Sequence, residues 1–116
     1  METLARELER GIDIICVGYY YYKEKNIFPK AQVLADRIQR FCGSFLQGDI
    51  YGMGEEEYEV LRKYVIQVLK DYLEALEKKD TVYMLDTLDY GLRELLNIYI
   101  DKEKEDNIDA EEAGNE

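Results

Sequence analysis

The sequence predicts an all-α protein, an antiparallel four-helix bundle with a disordered acidic C-terminal tail. Apolar residues recur at spacings of three and four in four separate segments, as they do on one face of an α-helix. No segment shows the period-two alternation bounded by turn residues that marks a strand. A length of 116 residues suits one domain with a single core. We expect residues 1–104 to form the bundle domain and residues 105–116 to form the tail.

The first helical hairpin is predicted from two apolar stripes. Helix one is expected over residues 2–25 and helix two over about 29–47. Pro29 suits the first helical position, where its missing N–H costs nothing. The residues expected to be buried are Leu4, Ala5, Leu8, Ile12, Ile15, Cys16 and Tyr19 in helix one, and Ala31, Leu34, Ala35, Ile38, Phe41, Cys42 and Phe45 in helix two.

The second hairpin follows a glycine-rich break, because three glycines within residues 48–54 cannot continue a helix cheaply. Helix three is expected over about 55–79 and helix four over about 81–104, with Asp80 as its N-cap. Their stripes comprise Tyr58, Leu61, Val65, Val68, Leu69, Tyr72, Leu73 and Leu76, and then Val82, Leu85, Leu88, Leu92, Leu95, Leu96 and Tyr99. Residues 101–116 hold eight acidic and two basic residues, which is typical of a solubilising disordered segment.

Composition excludes several functional classes. The chain has no histidine, so it cannot supply a Ser-His or Cys-His catalytic pair or a histidine ligand for zinc. A net charge of −11 without a basic face disfavours binding to nucleic acid or to an anionic membrane surface. The charged start of the chain does not resemble a signal peptide, so we expect a cytoplasmic protein with reduced thiols. The two cysteines lie on apolar stripes, so we expect these thiols to be inert.

Helix one has more apolar surface than one stripe requires. Ile14, Val17 and Tyr21 lie roughly opposite its main stripe, and residues 19–22 are four consecutive tyrosines that must point in different directions. A helix that is apolar on two sides normally has two sets of neighbours. Because large aromatic side chains are typical contact anchors, we expect Ile14, Val17, Tyr20 and Tyr21 to form a face that binds a second copy or a partner helix.

Acidic residues at helical spacing support an alternative, enzymatic interpretation. Glu55, Glu56 and Glu59 open helix three, and Asp86 and Asp89 lie three apart in helix four. This arrangement resembles the EExxE and ExxD pattern of the all-α nucleoside triphosphate pyrophosphohydrolases, although the second motif here begins with Asp. The resemblance implies that these five carboxylates bind Mg²⁺ and the phosphates of a nucleotide.

Asp89 has a second interpretation, because it falls inside the apolar arc of helix four. A buried carboxylate is rarely left without a partner. We therefore expect Asp89 to form an ion pair with Arg93, one turn later, or to accept a hydrogen bond from a tyrosine.

Residues 64–95 resemble the last helical hairpin of the flagellin-export chaperones. The resemblance is carried by Tyr64-Val65-Ile66-Gln67, by Lys79-Asp80 at the turn, and by Leu92-Arg93-Glu94-Leu95. It implies a small helical bundle that binds a peptide or a helix in a surface groove, without a cofactor or catalysis. This agrees with helix one having two apolar faces. The sequence therefore favours a non-enzymatic protein-interaction domain, with the Mg²⁺-dependent hydrolase as the alternative.

Overall fold

A computed structural model describes residues 2–49 and 52–101. Within these ranges the regular elements are all helical, and the predicted all-α class is confirmed. The elements are α1 (Glu2–Tyr21), α2 (Phe28–Val33), α3 (Ala35–Leu46), α4 (Glu55–Lys78), α5 (Thr81–Asp86) and a π-helical segment (Thr87–Leu92). Residues 93–101 return to α-helix, and we call the continuous stretch 81–101 the fourth helix. The predicted tail, 105–116, and the predicted end of helix four lie outside the described residues.

The first helix ends at Tyr21, so the prediction that it continues to residue 25 is wrong. Lys23 has a positive φ of 55°, in the left-handed region that stops an α-helix. The N–H of Glu24 then donates to the carbonyl of Gly18 at 2.9 Å, six residues back. This bond satisfies a carbonyl in the last turn of the helix that would otherwise lack a partner.

The second predicted helix is interrupted at Leu34 and forms two helices, α2 and α3. The N–H of Leu34 donates to the carbonyl of Ala31 at 3.1 Å, which is a tight three-residue turn. The same carbonyl accepts a hydrogen bond of 2.5 Å from the buried hydroxyl of Tyr72 in α4. A tertiary contact therefore stabilises a break that the apolar spacing does not reveal.

The core contains most residues of the predicted stripes, together with Ile27, Ala75 and Met84, which the stripes did not include, and two stripe residues need correction. Leu73 and Val82 were expected to be buried, but both are more than half exposed. Each is turned by roughly 100 to 120° from the mean direction of the buried residues on its own helix, at 100° per residue. The buried hydrophobic residues of the four stripes meet in one cluster, in which the largest fully enclosed side chains are Phe41, Phe45, Leu8, Ile12, Ile15, Ile38, Met84, Leu88, Leu92, Leu95 and Leu96.

Between neighbouring helices, residues later in one helix contact residues earlier in the other. In α4 and the fourth helix, the hydroxyl of Tyr64 donates to the carbonyl of Gly91, whereas Asp71, two turns later, accepts from Tyr83. The same order reversal joins α4 to α2 and α3 through Tyr72–Ala31 and Tyr58–Phe45. It also joins α1 to the α2–α3 stretch through Glu7–Arg37 and the approach of Gly11 to Leu34. The antiparallel four-helix arrangement remains a prediction, and these contacts agree with it.

Asp80 caps the fourth helix as predicted. Its carboxylate accepts a hydrogen bond of 3.1 Å from the N–H of Tyr83, which has no partner within the first turn. We expect Asp80→Ala to lower the free energy of unfolding by about 1 kcal/mol, measured by urea denaturation. Asp80→Asn keeps the accepting oxygen and should retain most of the stability; an equal loss in both variants would contradict the capping role.

The hydrogen bond from Tyr72 to Ala31 predicts a stability change at high pH. Burial raises the pKa of the Tyr72 hydroxyl from its ordinary value of 10 to about 12. The folded state therefore holds this proton more tightly than the unfolded state, and the stability that it contributes is complete below pH 10 and is lost as the pH rises through 12.

Tyr72→Phe should lower the free energy of unfolding at neutral pH by about 1 to 2 kcal/mol, since the Ala31 carbonyl loses a donor. It should also show a shallower fall in stability above pH 10 than the unsubstituted chain. Tyr22→Phe is the matched control because Tyr22 is exposed. Parallel pH profiles for Tyr72→Phe and the control would contradict the assignment.

Candidate functional site

Four apolar side chains form an exposed face on α1. Ile14 is 52% exposed, Val17 42%, Tyr20 58% and Tyr21 79%. These are the four residues that the sequence predicts as a partner face, and we call them the α1 outer face. The opposite side of α1 is enclosed by the core, where Ala5, Leu8, Ile12, Ile15 and Gly18 are buried.

The α1 outer face is one continuous strip. At 100° per residue, Tyr20, Val17, Tyr21 and Ile14 follow one another around the helix within an arc of roughly 120°. Tyr20 lies at the edge nearest the fourth helix, and its ring meets that of Tyr19 edge to face at 5.2 Å. The side chains therefore form a compact apolar surface, as a docking helix would need.

A groove separates α1 from α2 and lies beside the α1 outer face. It has a volume of about 420 Å³. Its walls can approach closely because Gly11 has no side chain: a Cβ there would lie 2.6 Å from a methyl carbon of Leu34. We call this cavity the α1–α2 groove, and its lining residues are Glu7, Arg10, Gly11, Ile14, Ile15, Lys30, Val33, Leu34 and Arg37.

The rim of the α1–α2 groove is basic, although the chain as a whole is acidic. Its lining contains three cationic side chains and one carboxylate. Arg37 pairs with Glu7 at 2.9 Å, and Lys30 pairs with Glu24 at 2.6 Å. Arg10 forms no ion pair with any residue in the described ranges. It is therefore available to an acidic group on a ligand.

Arg93 joins α1 to the π-helical segment. Its guanidinium donates to Asp89 at 3.0 Å and to Asp13 at 2.9 Å. The predicted pairing of Asp89 with Arg93 is confirmed. Burial and the charge of Asp89 raise the pKa of the nearby Cys16 thiol, and Arg93 lowers it only in part. The cluster therefore links two helices, and the pKa of the thiol beside it stays raised mainly because of burial.

The carboxylates of the alternative interpretation lie apart. Glu55, Glu56 and Asp86 are exposed, and Asp89 is turned toward α1 by Arg93. Glu59 accepts two hydrogen bonds from Arg62, which lower the pKa of its carboxyl.

The register between helices explains this separation. The hydroxyl of Tyr64 contacts Gly91, so Asp89 lies beside the middle of α4 and not beside its first turn. Along the part of the chain that the structure describes, no three Asp, Glu, Cys or His side chains are grouped so that they could hold a metal ion.

Comparisons with protein-family models, with curated proteins and with solved structures found no match to this chain. The resemblances to flagellin-export chaperones and to pyrophosphohydrolases therefore rest on the quoted residues alone. None of the helices within residues 2–49 and 52–101 has the length and apolarity needed to cross a lipid bilayer.

A second apolar groove lies between α4 and the fourth helix and was missed by the sequence analysis. It has a volume of about 440 Å³, and Val60 on its wall is 71% exposed. The sequence signal was the pair Val60 and Tyr64, four residues apart on the face of α4 outside its main stripe. The lining comprises Met53, Glu57, Val60, Leu61, Tyr64, Glu94 and Ile98. We call it the α4 groove.

The two free thiols differ in accessibility, which gives a direct test of the packing. Cys42 is buried, and burial raises the pKa of its thiol to about 12; Cys16 is partly exposed. We expect an aromatic disulfide reagent to modify Cys16 slowly in the native protein and Cys42 only after denaturation. In the Cys16→Ser variant, no thiol should be labelled in native buffer, and the one remaining thiol, Cys42, should be labelled in denaturant. Rapid native labelling of that variant would contradict the packing of α3.

Proposed function

We propose that this chain is a small cytoplasmic, non-enzymatic protein-interaction domain, of adaptor or chaperone-like type. It forms a homodimer or docks a partner helix through the α1 outer face. The observation that carries the proposal is the exposure of Ile14, Val17, Tyr20 and Tyr21 on one continuous strip of α1. Protein monomers seldom expose contiguous apolar patches of this kind unless the patch has a binding role.

The chemistry of the face supports helix docking. Tyrosine offers a large contact area with little loss of side-chain entropy, and its hydroxyl can remain at the wet edge of an interface. Full burial of a valine or isoleucine contributes about 1.5 to 3 kcal/mol, so covering the exposed half of Ile14 and of Val17 contributes roughly 1 kcal/mol each. The two tyrosines add further contact area to a complex of moderate affinity. The α1–α2 groove beside the face provides a channel for a second set of partner side chains.

We expect Val17→Glu combined with Tyr21→Glu to abolish association, because two carboxylates would have to be buried in the interface. Sedimentation velocity over a range of concentrations measures self-association. The matched control is Leu73→Glu combined with Val82→Glu, which adds the same charge at two exposed apolar positions on other helices. The control should associate like the unsubstituted chain.

Binding of a partner helix, the second alternative in the proposal, needs a separate measurement. A phage-displayed library of amphipathic helical peptides can be screened for binding to the full chain. Each peptide that binds is then tested against the Val17→Glu, Tyr21→Glu variant and against the Leu73→Glu, Val82→Glu control. Binders should fail on the α1 double variant and persist on the control. An unsubstituted chain that stays monomeric at every concentration and selects no peptide sensitive to α1 would overturn the proposal.

A further inference from the structure

Arg10 lies in line with apolar residues of the α1 outer face. At 100° per residue, Arg10, Ile14, Val17 and Tyr21 fall within an arc of roughly 60° on α1. All four side chains are exposed. Successive members are four, three and four residues apart, which is the heptad spacing of a helix that packs along a second helix. We call this line of four residues the α1 seam.

The two ends of the α1 seam carry different chemistry. Arg10, at the first end, forms no ion pair with a residue that the structure describes. Tyr21, at the other end, is 79% exposed, more than Ile14 or Val17. A guanidinium group is attracted to the face of an aromatic ring. About 16 Å of helix separates the two residues, so they cannot meet within one chain, but each can meet its counterpart on a second copy.

Only one direction of packing brings these ends together. In a parallel two-fold pair of α1 helices each seam residue faces its own counterpart, so two Arg10 guanidinium groups oppose each other. In an antiparallel pair with its two-fold axis between residues 15 and 16, Arg10 faces Tyr21 of the second copy, and Ile14 faces Val17. The α1 seam is self-complementary in that arrangement, as a two-fold interface requires.

The charges beside the α1 seam permit two acidic chains to meet there. The seam itself contains no acidic residue. The carboxylates on either side of it, Glu7 and Asp13, are paired with Arg37 and Arg93 at 2.9 Å each. The α4 groove, in contrast, is lined by two glutamates and by no basic residue, so two copies facing each other there would repel. A second copy therefore fits the α1 seam and not the α4 groove.

We propose that two copies of this chain associate through antiparallel α1 helices, with Arg10 of each copy stacked on the Tyr21 ring of the other. This packing rests on the proposed function, and it selects a second copy as the occupant of the α1 outer face. Symmetry makes the Arg10 contact twice, once at each end, and Ile14 and Val17 fill the centre. Tyr20 lies about 90° from the middle of the seam and borders the contact.

Disulfide formation between introduced cysteines tests the direction of packing. The background is Cys16→Ser, in which the remaining thiol, Cys42, is buried. Arg10→Cys and Tyr21→Cys are prepared separately in this background, and each is oxidised with glutathione disulfide, alone and after mixing. The protein concentration is one at which sedimentation velocity shows the dimer. Covalent dimer is measured on a non-reducing gel.

The mixture should form a covalent dimer, whereas neither variant alone should form one. A disulfide needs two Cα atoms within about 7 Å, and in the antiparallel pair residue 10 of one copy lies about 16 Å from residue 10 of the other. The mixed dimer keeps one native contact of Arg10 with Tyr21 at its other end. A covalent dimer from either variant alone, or none from the mixture, would overturn the antiparallel packing.

A charge reversal tests the contact of Arg10 with Tyr21. Arg10→Glu should raise the dissociation constant of the dimer about tenfold, because two cation–π contacts are lost. Arg10→Lys keeps the cation and should stay closer to the unsubstituted chain. Lys70→Glu is the matched control, because it makes the same charge change at an exposed position on α4. An equal effect of the two reversals would overturn the contact.

The results distinguish failure of this packing from failure of the proposed function. A dimer that cross-links in the wrong pattern overturns the antiparallel packing and leaves the α1 outer face as an interface. A chain that stays monomeric but selects helical peptides sensitive to α1 overturns the second copy as occupant and leaves partner docking. A monomer that selects no such peptide overturns both.

Discussion

The packing of α1 on two sides is the constraint from which the rest of the structure follows. On one side Gly11 lets α1 approach Leu34 at the junction of α2 and α3. On the other side Asp13 reaches Arg93 of the fourth helix at 2.9 Å. A helix held by two neighbours and by the core beneath it leaves part of its circumference to solvent. Because residues 14–21 of α1 are apolar almost all round, that part is itself apolar in the second half of the helix.

Much of this fold could be predicted because its causes are local in sequence. Apolar spacing identified the buried stripes, and the glycines of residues 48–54 identified the main break. Two polar contacts were also predictable, because their partners lie within one turn of the same helix. These are the cap of Asp80 on the N–H of Tyr83 and the pairing of Asp89 with Arg93.

Two departures from the predicted helices arise where a distant residue decides the local structure. The break at Leu34 coincides with a hydrogen bond from Tyr72, 41 residues away from Ala31. The π-helical segment lies where the hydroxyl of Tyr64 donates to Gly91 across 27 residues. Neither hydrogen bond can be predicted from the spacing of apolar residues. The two grooves escaped prediction for the same reason, since each is formed between helices and belongs to neither.

Electrostatics decides whether so acidic a chain can use the α1 outer face with a second copy of itself. At physiological ionic strength the Debye length is about 8 Å, so charges on the far sides of two associated copies are largely screened from one another. Only charges beside the face matter, and there Arg10 and Asp13 flank the apolar side chains with opposite signs. The net charge of −11 therefore opposes association much less than its size suggests. If the α1 outer face associates as proposed, the affinity depends on how much of Val17 and Tyr21 is covered, because desolvation of apolar side chains is the main driving force of association.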